Sequence, residues 1–578
     1  MFPKSIFSTI GKKFCLAALL SICVLGSNAF AQLDNEFWFA PPELTQAINP
    51  GTDGPRDRPI QLVISTLEKA ARVEIIKPAD ASFETIVENI PANSTRIVNL
   101  TPFIDKLESK PENAILNTGL LIKSTQSISA YYEIRSANNT DLFALKGFNA
   151  KGKLFYVPFQ TRWNNSLRKG PGGAFYNPET YASFDIVATD DSTEVTVTPK
   201  KDLVGHPAGV PFTFMLNRGE VYSCRAIDRF GANHPAGSKI ESNKDIAVTM
   251  KDDMLQFDIN EQSAGADIAG DQLIPVEYMG DNYALIKGGL NNNGDRCYIL
   301  ATEDNTIIRF DGSAQAVDTL NEGEQYELVM TKASYYLNTN GKKVAVLHIS
   351  GLQDQLGGAI IPALTCTGTN RIGFTRTSGS TFIVNIIAKL STVGKFRLNG
   401  DPTLVPASAF TALQGGNGWA FARINFSTAQ IPAGTTLVLQ NSGNELFHVG
   451  VTNYATGVGS NYGYFSNFSR LNLGKQKTVC VGDTAVLDAG PAKTSYLWST
   501  GDTTRFLETL EPGKYWVTTQ SGTECPKSDT VKVRFYEPNF DLGPDDTICI
   551  GGSKLLTPDG VFTYEWQDGS TATSYLVT

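Results

Sequence analysis

A chain of 578 residues, 41% apolar and 19% charged, has room for three to five domains of roughly 100–200 residues and enough apolar side chains to give each a core. Its formal charge of −9, carried by acids that are scattered along the chain, excludes the basic footprint of a nucleic-acid binder. It reads as an ordinary solvated surface.

Lys4, Lys12 and Lys13 precede an apolar run over 14–26, and Ala29-Phe30-Ala31 supplies small residues for a signal peptidase. Residues 1–31 are therefore predicted to be a signal peptide, with the mature chain starting at Gln32. The run is shorter than the roughly 20 residues that span a bilayer, and no later stretch comes close, so no transmembrane segment is expected. Ile22 stands where a lipidation signal at Cys23 needs a small residue, which argues against a lipid anchor. The expected location is secreted or on the outer cell surface.

Beyond Gln32 the sequence alternates with period two. Glu194-Val195-Thr196-Val197-Thr198 and Asp245-Ile246-Ala247-Val248-Thr249 place apolar residues on one face and polar groups on the other. The fold class is all-β, built of tandem β-sandwich-like repeat units, and only 102–108 reads as a helical turn. The 52 glycines and 28 prolines suit many tight turns.

Three segments recur in order. Ala188-Thr189-Asp190-Asp191-Ser192-Thr193 returns as Ala301-Thr302-Glu303-Asp304-Asn305-Thr306, and Leu216-Asn217-Arg218-Gly219-Glu220 as Leu320-Asn321-Glu322-Gly323-Glu324. Asn243 to Val248 returns as Gly341 to Val346, and a fainter copy runs through Arg72 to Ile75, Ile90 to Asn93 and Lys123 to Ile128. The units are placed at 32–179, 180–290, 291–365 and 366–470. At roughly 100 residues each they exceed the usual propeller blade of about 40–50. The acids of the repeated turn, Asp190, Asp191, Glu303 and Asp304, are read as turn chemistry, bonding the backbone nearby. Calcium is the one ion such turns could take, and no spaced acidic loop of the required kind is present.

Two stretches stand out as candidate contact surface. Residues 159–165 with 170–176 form a Gly-rich, aromatic and basic patch in which Arg162 and Trp163 have hot-spot character, although Trp163 could equally plug a core. Asp267, Asp271 and Gln272 are polar groups beside the apolar Leu273-Ile274-Pro275. Either they bind a ligand or they satisfy the backbone of a buried segment. Catalytic signatures were sought and not found. His348 and His448 lie in apolar strands, His206 and His234 precede prolines in loops, and no zinc spacing, nucleophile elbow or phosphate loop occurs.

The end of the chain repeats itself. Cys480, Leu487, Tyr496, Trp498 and Gly501 return as Cys549, Leu555, Tyr564, Trp566 and Gly569. A Cys with a Trp 17 or 18 residues on is the pattern of an Ig-like β-sandwich, giving modules at 475–536 and 537–578 with both tryptophans in cores. Cys480 and Cys525 bracket the first and are predicted to pair. Cys549 has no later partner before Thr578, so the second module reads as cut short. Cys224, Cys297 and Cys366 form an odd set whose pairing stays open.

Glu36-Phe37-Trp38-Phe39-Ala40-Pro41, the segment from Asp267 to Pro275, the repeated turns, and Phe447-His448-Val449-Gly450 with Tyr462-Gly463-Tyr464-Phe465-Ser466 together resemble the N-terminal domain of IgGFc-binding proteins, over roughly 34–470. The version resembled is that of Bacteroidota surface proteins, in which Ig-like repeats follow and a type IX secretion sorting domain usually closes the chain. The resemblance implies a non-catalytic adhesion or recognition protein of the cell surface that binds a protein or glycan through its N-terminal β region, with no cofactor. It does not carry over antibody Fc as the ligand. The rival readings are a structural matrix or filament component and a polysaccharide hydrolase with acids hidden among the scattered Asp and Glu.

Overall fold

The alternating runs become strands because β-branched side chains stack well on one pleated face. In Thr193–Thr198, for example, Thr193, Val195 and Val197 are buried while Glu194 is exposed. The structure is a computed structural model that describes residues 33–46 and 56–578. Within the latter it omits 137–138, 168–175, 177–178, 257–265, 366, 444, 456–458, 467, 469–472, 474–475, 490–494, 522–524, 537–541, 543, 545 and 559–565. The expected signal peptide, Cys366 and most of the 170–176 patch lie outside the described residues. Among those described, strands dominate, as expected for an all-β chain. The helical turn at 102–108 appears as a 3-10 turn, Thr101–Phe103, running into the single α-turn Ile104–Leu107.

The internal repeat holds down to single hydrogen bonds. Thr189 Oγ1 donates to the Asp245 carbonyl and Thr302 Oγ1 to that of Lys343, each at 2.8 Å. Asp191 and Asp304 each accept a backbone N–H at 3.0 Å, from Arg218 and Glu322. Glu220 and Glu324 cap the Asn217 and Asn321 amides at 2.6 and 2.7 Å. Gly219 and Gly323 supply the positive φ of these turns, 85° and 74°. Asp191 and Asp304 are thus bound to backbone, the turn chemistry their spacing predicts, while Asp190 Oδ2 accepts from Thr189 Oγ1 at 3.0 Å.

Four hairpins organise the molecule up to Arg470. β1 (Leu120–Ser136) returns as β2 (Asn139–Ala144), and β3 (Ser238–Gln256) as β4 (Ala266–Gln272). β5 (Val344–Gln353) returns as β6 (Gln355–Ile360), and β7 (Phe447–Ala455) as β8 (Gly459–Tyr464). The returning strands pack side by side in the cycle β2, β4, β6, β8 and back to β2 without sharing a ladder. The longer partner of each leads outward into its own sheet. β1 is flanked by Ala71–Ile76 and Ile60–Thr66, and β3 by Thr193–Thr198 and Ala182–Ala188. β5 pairs with Arg296–Ala301, and β7 with Thr381–Lys389.

The first sheet keeps a core of its own, with Phe37, Leu62, Val73 and Tyr132 packed against Ile104 and Leu107, and four further cores lie between successive sheets. Phe184, Ile186 and Val248 of the second pack with Tyr298, Leu347 and Ile349 of the third. Ile299 and Val346, on the other face of the third, meet Ile387, Trp419 and Tyr464 of the fourth. Phe382 and Val449 of the fourth meet Val63, Tyr131 and Leu142 of the first, and Trp38 and Leu121 of the first meet Val187 and Val221 of the second. The result is a closed, propeller-like ring of four sheets, in which the first sheet has its own core and successive sheets share the others. The unit length misled because each sheet carries long excursions, such as the additional four-stranded sheet of Asn282–Ile286, Ser334–Asn338, Thr306–Phe310 and Asp318–Leu320.

A second compact unit begins at Leu471. Gln476–Cys480, Cys525–Tyr536, Gly513–Ser521 and Ser495–Trp498 form one sheet, and Ala485–Asp488 with Phe506–Thr509 a second. Between them Trp498, 1% exposed, packs with Leu487, Leu507, Val517 and Val531. Its Nε1 donates to the Thr504 carbonyl at 2.8 Å, and Trp566 repeats that bond to Ala572, also six residues on, at 2.8 Å. The predicted Cys480–Cys525 disulfide is not formed. Cys480 is a free, exposed thiol whose register partner is Tyr536, at the far end of the strand that Cys525 opens. Eleven residues of strand, roughly 36 Å, separate them, where a bridge needs Cα atoms within about 7 Å. Cys224 and Cys297 are free and buried, and Cys549 is free and exposed.

Candidate functional site

All four returning strands are buried along their whole length although their sequences are rich in Gly, Asp and Asn. Strands that lie side by side without a shared ladder leave amides that need acceptors, and side chains provide them. Asp141 is the hub. Its Oδ1 accepts from Leu142 N at 2.8 Å and Tyr462 N at 3.1 Å, and its Oδ2 from Gly358 N at 3.2 Å and Gly270 N at 3.3 Å. One carboxyl group therefore touches the backbone of β2, β4, β6 and β8. Burial raises its pKa well above the ordinary value, and the four amides act in the opposite direction.

Asp267, Asp271 and Gln272 belong to the same inner ring. Asp267 accepts from Leu356 N at 2.9 Å, and burial pushes it up to about 7. Asp271 accepts from Ile360 N and Gln272 N, each at 2.8 Å, and from Lys146 Nζ at 2.6 Å in a fully buried pair. Burial is the leading influence on both partners, raising the acid and lowering the amine. Gln272 accepts the Lys146 amide at 2.8 Å and donates to the Trp38 carbonyl at 2.6 Å. These residues hold strands together and present nothing to a ligand. Several acids do converge here, and Asp141, Asp267 and Asp271 each accept at least one backbone amide. Among the described residues no group of His, Cys, Asp and Glu has metal-holding geometry.

Arg162 and Trp163 lie on a different part of the ring. Trp163 is 3% exposed in the core between the second and third sheets, with the Arg296 guanidinium 5.6 Å from its ring. It fills that core, while Arg162 is exposed. The loop carrying them is fixed from beneath. Gln160 Oε1 accepts the amides of Arg162 and Trp163 at 2.9 and 2.8 Å, and its Nε2 donates to Asp252 Oδ2 at 2.8 Å. Asn165 Nδ2 donates to Asp252 Oδ1 at 2.6 Å, and His234 Nε2 pairs with Asn165 Oδ1 at 3.0 Å. His234 Nδ1 lies 3.0 Å from Gln160 Nε2, 3.1 Å from the Gln160 carbonyl oxygen and 3.1 Å from Asp252 Oδ2.

His234 ends a second loop that docks on the first. Asn165 N donates to the Arg229 carbonyl at 2.9 Å, and Gly231 N to Asn164 Oδ1 at 3.0 Å. A Cβ on Gly231 would stand 2.5 Å from the Trp163 carbonyl oxygen, so glycine permits the approach. The paired loops display Arg162 together with Ile227 and Phe230, each 47% exposed, and the Arg229 guanidinium lies 4.8 Å from the Phe230 ring. Sequence reasoning reached Arg162 and missed Ile227, Arg229 and Phe230. The signal was the run Ile227-Asp228-Arg229-Phe230-Gly231, an apolar and basic tip ahead of a loop histidine.

His206 is half-buried and stacked on Phe212, whereas His348 and His448 lie in the core. His348 is buried, with Nδ1 2.7 Å from Tyr462 Oη, and burial lowers it to about 4. His448 is buried beside Trp419 and lowered to about 3 by the same cause.

A family model described as IgGFc binding protein matches residues 146–451, from just after β2 into β7. The chain belongs to the IgGFc binding protein family. The match covers the second and third sheets of the ring, most of the fourth, and both loops of the exposed patch. No curated protein matches. Among solved structures, the insect immune protein hemolin is 11% identical over 48% of this chain and 83% of its own, with a TM-score of 0.12. The N-terminal eight Ig domains of Down Syndrome Cell Adhesion Molecule are 9% identical over 91% and 75%, with a TM-score of 0.11. A bacterial ice-binding adhesin is 10% identical over 77% and 98%, with a TM-score of 0.10. At such scores the likenesses do not define the fold of this family member. No helix among the described residues is long and apolar enough to cross a membrane.

Proposed function

We propose that this is an exported recognition or adhesion protein of the cell surface, non-catalytic, which binds a protein or glycan through its four-sheet ring. The observation that carries the reading is the pair of loops at 159–166 and 226–234. A buried His234–Gln160–Asp252–Asn165 network immobilises them while Arg162, Ile227 and Phe230 face solvent. Rigid loops bearing aromatic and Arg side chains lose little entropy on binding, and such residues concentrate binding energy. Membership of the family adds support for the class, and the family's own description makes IgG Fc one ligand to test rather than the assigned one. The buried, amide-bound state of the ring acids favours this reading over the hydrolase.

The test is binding of the full chain to glycan and protein arrays that include IgG Fc, beside Phe230→Ala and Arg162→Ala variants of unchanged melting temperature. A ligand whose affinity falls tenfold or more in both variants supports the assignment. Unaltered binding in both removes these loops as the contact surface.

A further inference from the structure

One face of the second sheet holds a polar cluster that neither the ring nor the exposed patch uses. Ala182–Ala188 runs antiparallel to β3 with Ser183 opposite Lys251 and Asp185 opposite Thr249. Asp185 and Lys251 are therefore diagonal neighbours on one face, a separation of roughly 7–8 Å that a long side chain can bridge. Both are buried, at 0% exposure. Neither oxygen of Asp185, nor Thr249 Oγ1, nor Lys251 Nζ has a hydrogen-bond partner, although Ser223 faces Asp185 from the strand on its other side. The two groups form no ion pair. Lys251 Nζ instead rests 3.4 Å from the centre of the Tyr181 ring.

The surroundings name a proton carrier. Tyr181 Oη donates to Glu43 Oε2 at 2.5 Å, bringing that carboxylate over the same face. The nearby Asp253 is engaged, accepting Thr45 N at 2.8 Å and Asn139 Nδ2 at 3.3 Å, and Arg225 lies against the other contact of Tyr181, 4.2 Å from the ring centre. Asp185 has Ser223 beside its carboxyl and no backbone amide on it.

We propose that Lys251 and Asp185 condense to an intramolecular isopeptide bond that staples two adjacent strands of the ring. The neutral Nζ attacks Asp185 Cγ, a C–N bond forms and the C–OH bond breaks. Glu43 takes a proton from nitrogen and returns it to the departing hydroxyl, which leaves as one water with no redox change. Burial acts toward the reactive forms: it lowers the Lys251 amine, and it pushes Asp185 up to about 7. An ammonium and a carboxylate left buried and unpaired are disfavoured, whereas the amide removes both charges. The bond would give an exported ring a covalent tie between neighbouring strands, and it is independent of what the loops bind.

Peptide mass mapping of the purified full chain decides the matter. A blocked Lys251 resists trypsin, so a branched peptide joining 170–200 to 245–287 is expected, lighter than its two parts by one water, about 18 Da. It should be missing from Lys251→Arg and from Asp185→Ala. Recovery of cleaved, unmodified peptides on both sides of Lys251 from folded wild-type protein overturns the proposal, as does a branch that persists in Asp185→Ala. Because the wild-type digest is decisive alone, the result stands even where a variant fails to fold.

Discussion

Asp267 is wholly buried, receives one backbone amide, and is pushed up to about 7 from an ordinary 3.8 by loss of solvent. Between those two values the folded chain holds a proton that the unfolded chain has released, so this group's contribution to stability falls as pH rises. Asp267→Asn keeps an acceptor for Leu356 and cannot ionise. Relative to wild type the variant should gain about 2–3 kcal/mol on moving from pH 5 to pH 8, read by denaturant unfolding at each pH. An equal difference at the two values would show that Asp267 does not titrate in this window. His348 and His448 act in the opposite sense. Held neutral by burial, at about 4 and about 3, they cost stability as pH falls below 6.5, because only the unfolded chain then takes up protons. Below neutrality these groups act in opposed directions, and removing one acid exposes its share.

At the scale of the element, the inner strands depend on glycine and on Asp141. A Cβ on Gly270 would meet Phe143 Cε1 at 2.5 Å and the Met250 carbonyl oxygen at 2.7 Å, and one on Gly358 would meet Gly270 N at 3.0 Å. Gly270→Ala should therefore cost about 1–3 kcal/mol through overpacking, measurable as a lowered denaturation midpoint with the slope unchanged. A melt indistinguishable from wild type would show that β4 can shift outward freely. These strands were the least legible part of the chain. Asn139-Thr140-Asp141 and Gly459-Ser460-Asn461 look like turn sequence because Asn, Asp and Gly are depleted in strands, and only the tertiary need for acceptors without ladders turns them into core. The repeated hairpins were plain, since their Thr, Asp and Gly positions serve bonds made within a few residues or to the adjacent strand. Arg162 was legible as a surface residue from its loop, whereas Trp163 beside it was not separable from it without knowing which way the chain turns. The Cys480–Cys525 pairing failed for a similar reason: bracketing in sequence does not fix which end of a strand a neighbour meets.

For the molecule as a whole, the cores shared between successive sheets predict that residues up to Arg470 melt as one cooperative unit, the first sheet's own core around Phe37, Leu62 and Tyr132 melting with them. The unit from Leu471 has its own small core around Trp498. Trp498→Ala should lower the stability of that unit by about 3–5 kcal/mol and leave the calorimetric transition of the ring in place. A shift of both transitions together would contradict two independent cores. Closure of the ring by β8 against β2 carries a consequence for biogenesis. Thr140 Oγ1 bonds Asn461 Oδ1 at 3.0 Å across 321 positions of chain, so the earliest hairpin finds its last neighbour only after nearly the whole ring has been synthesised. Such distant partners make assembly slow. A polypeptide that cannot finish its interior until its late segments arrive stays threadable for longer, which would suit the export proposed for it.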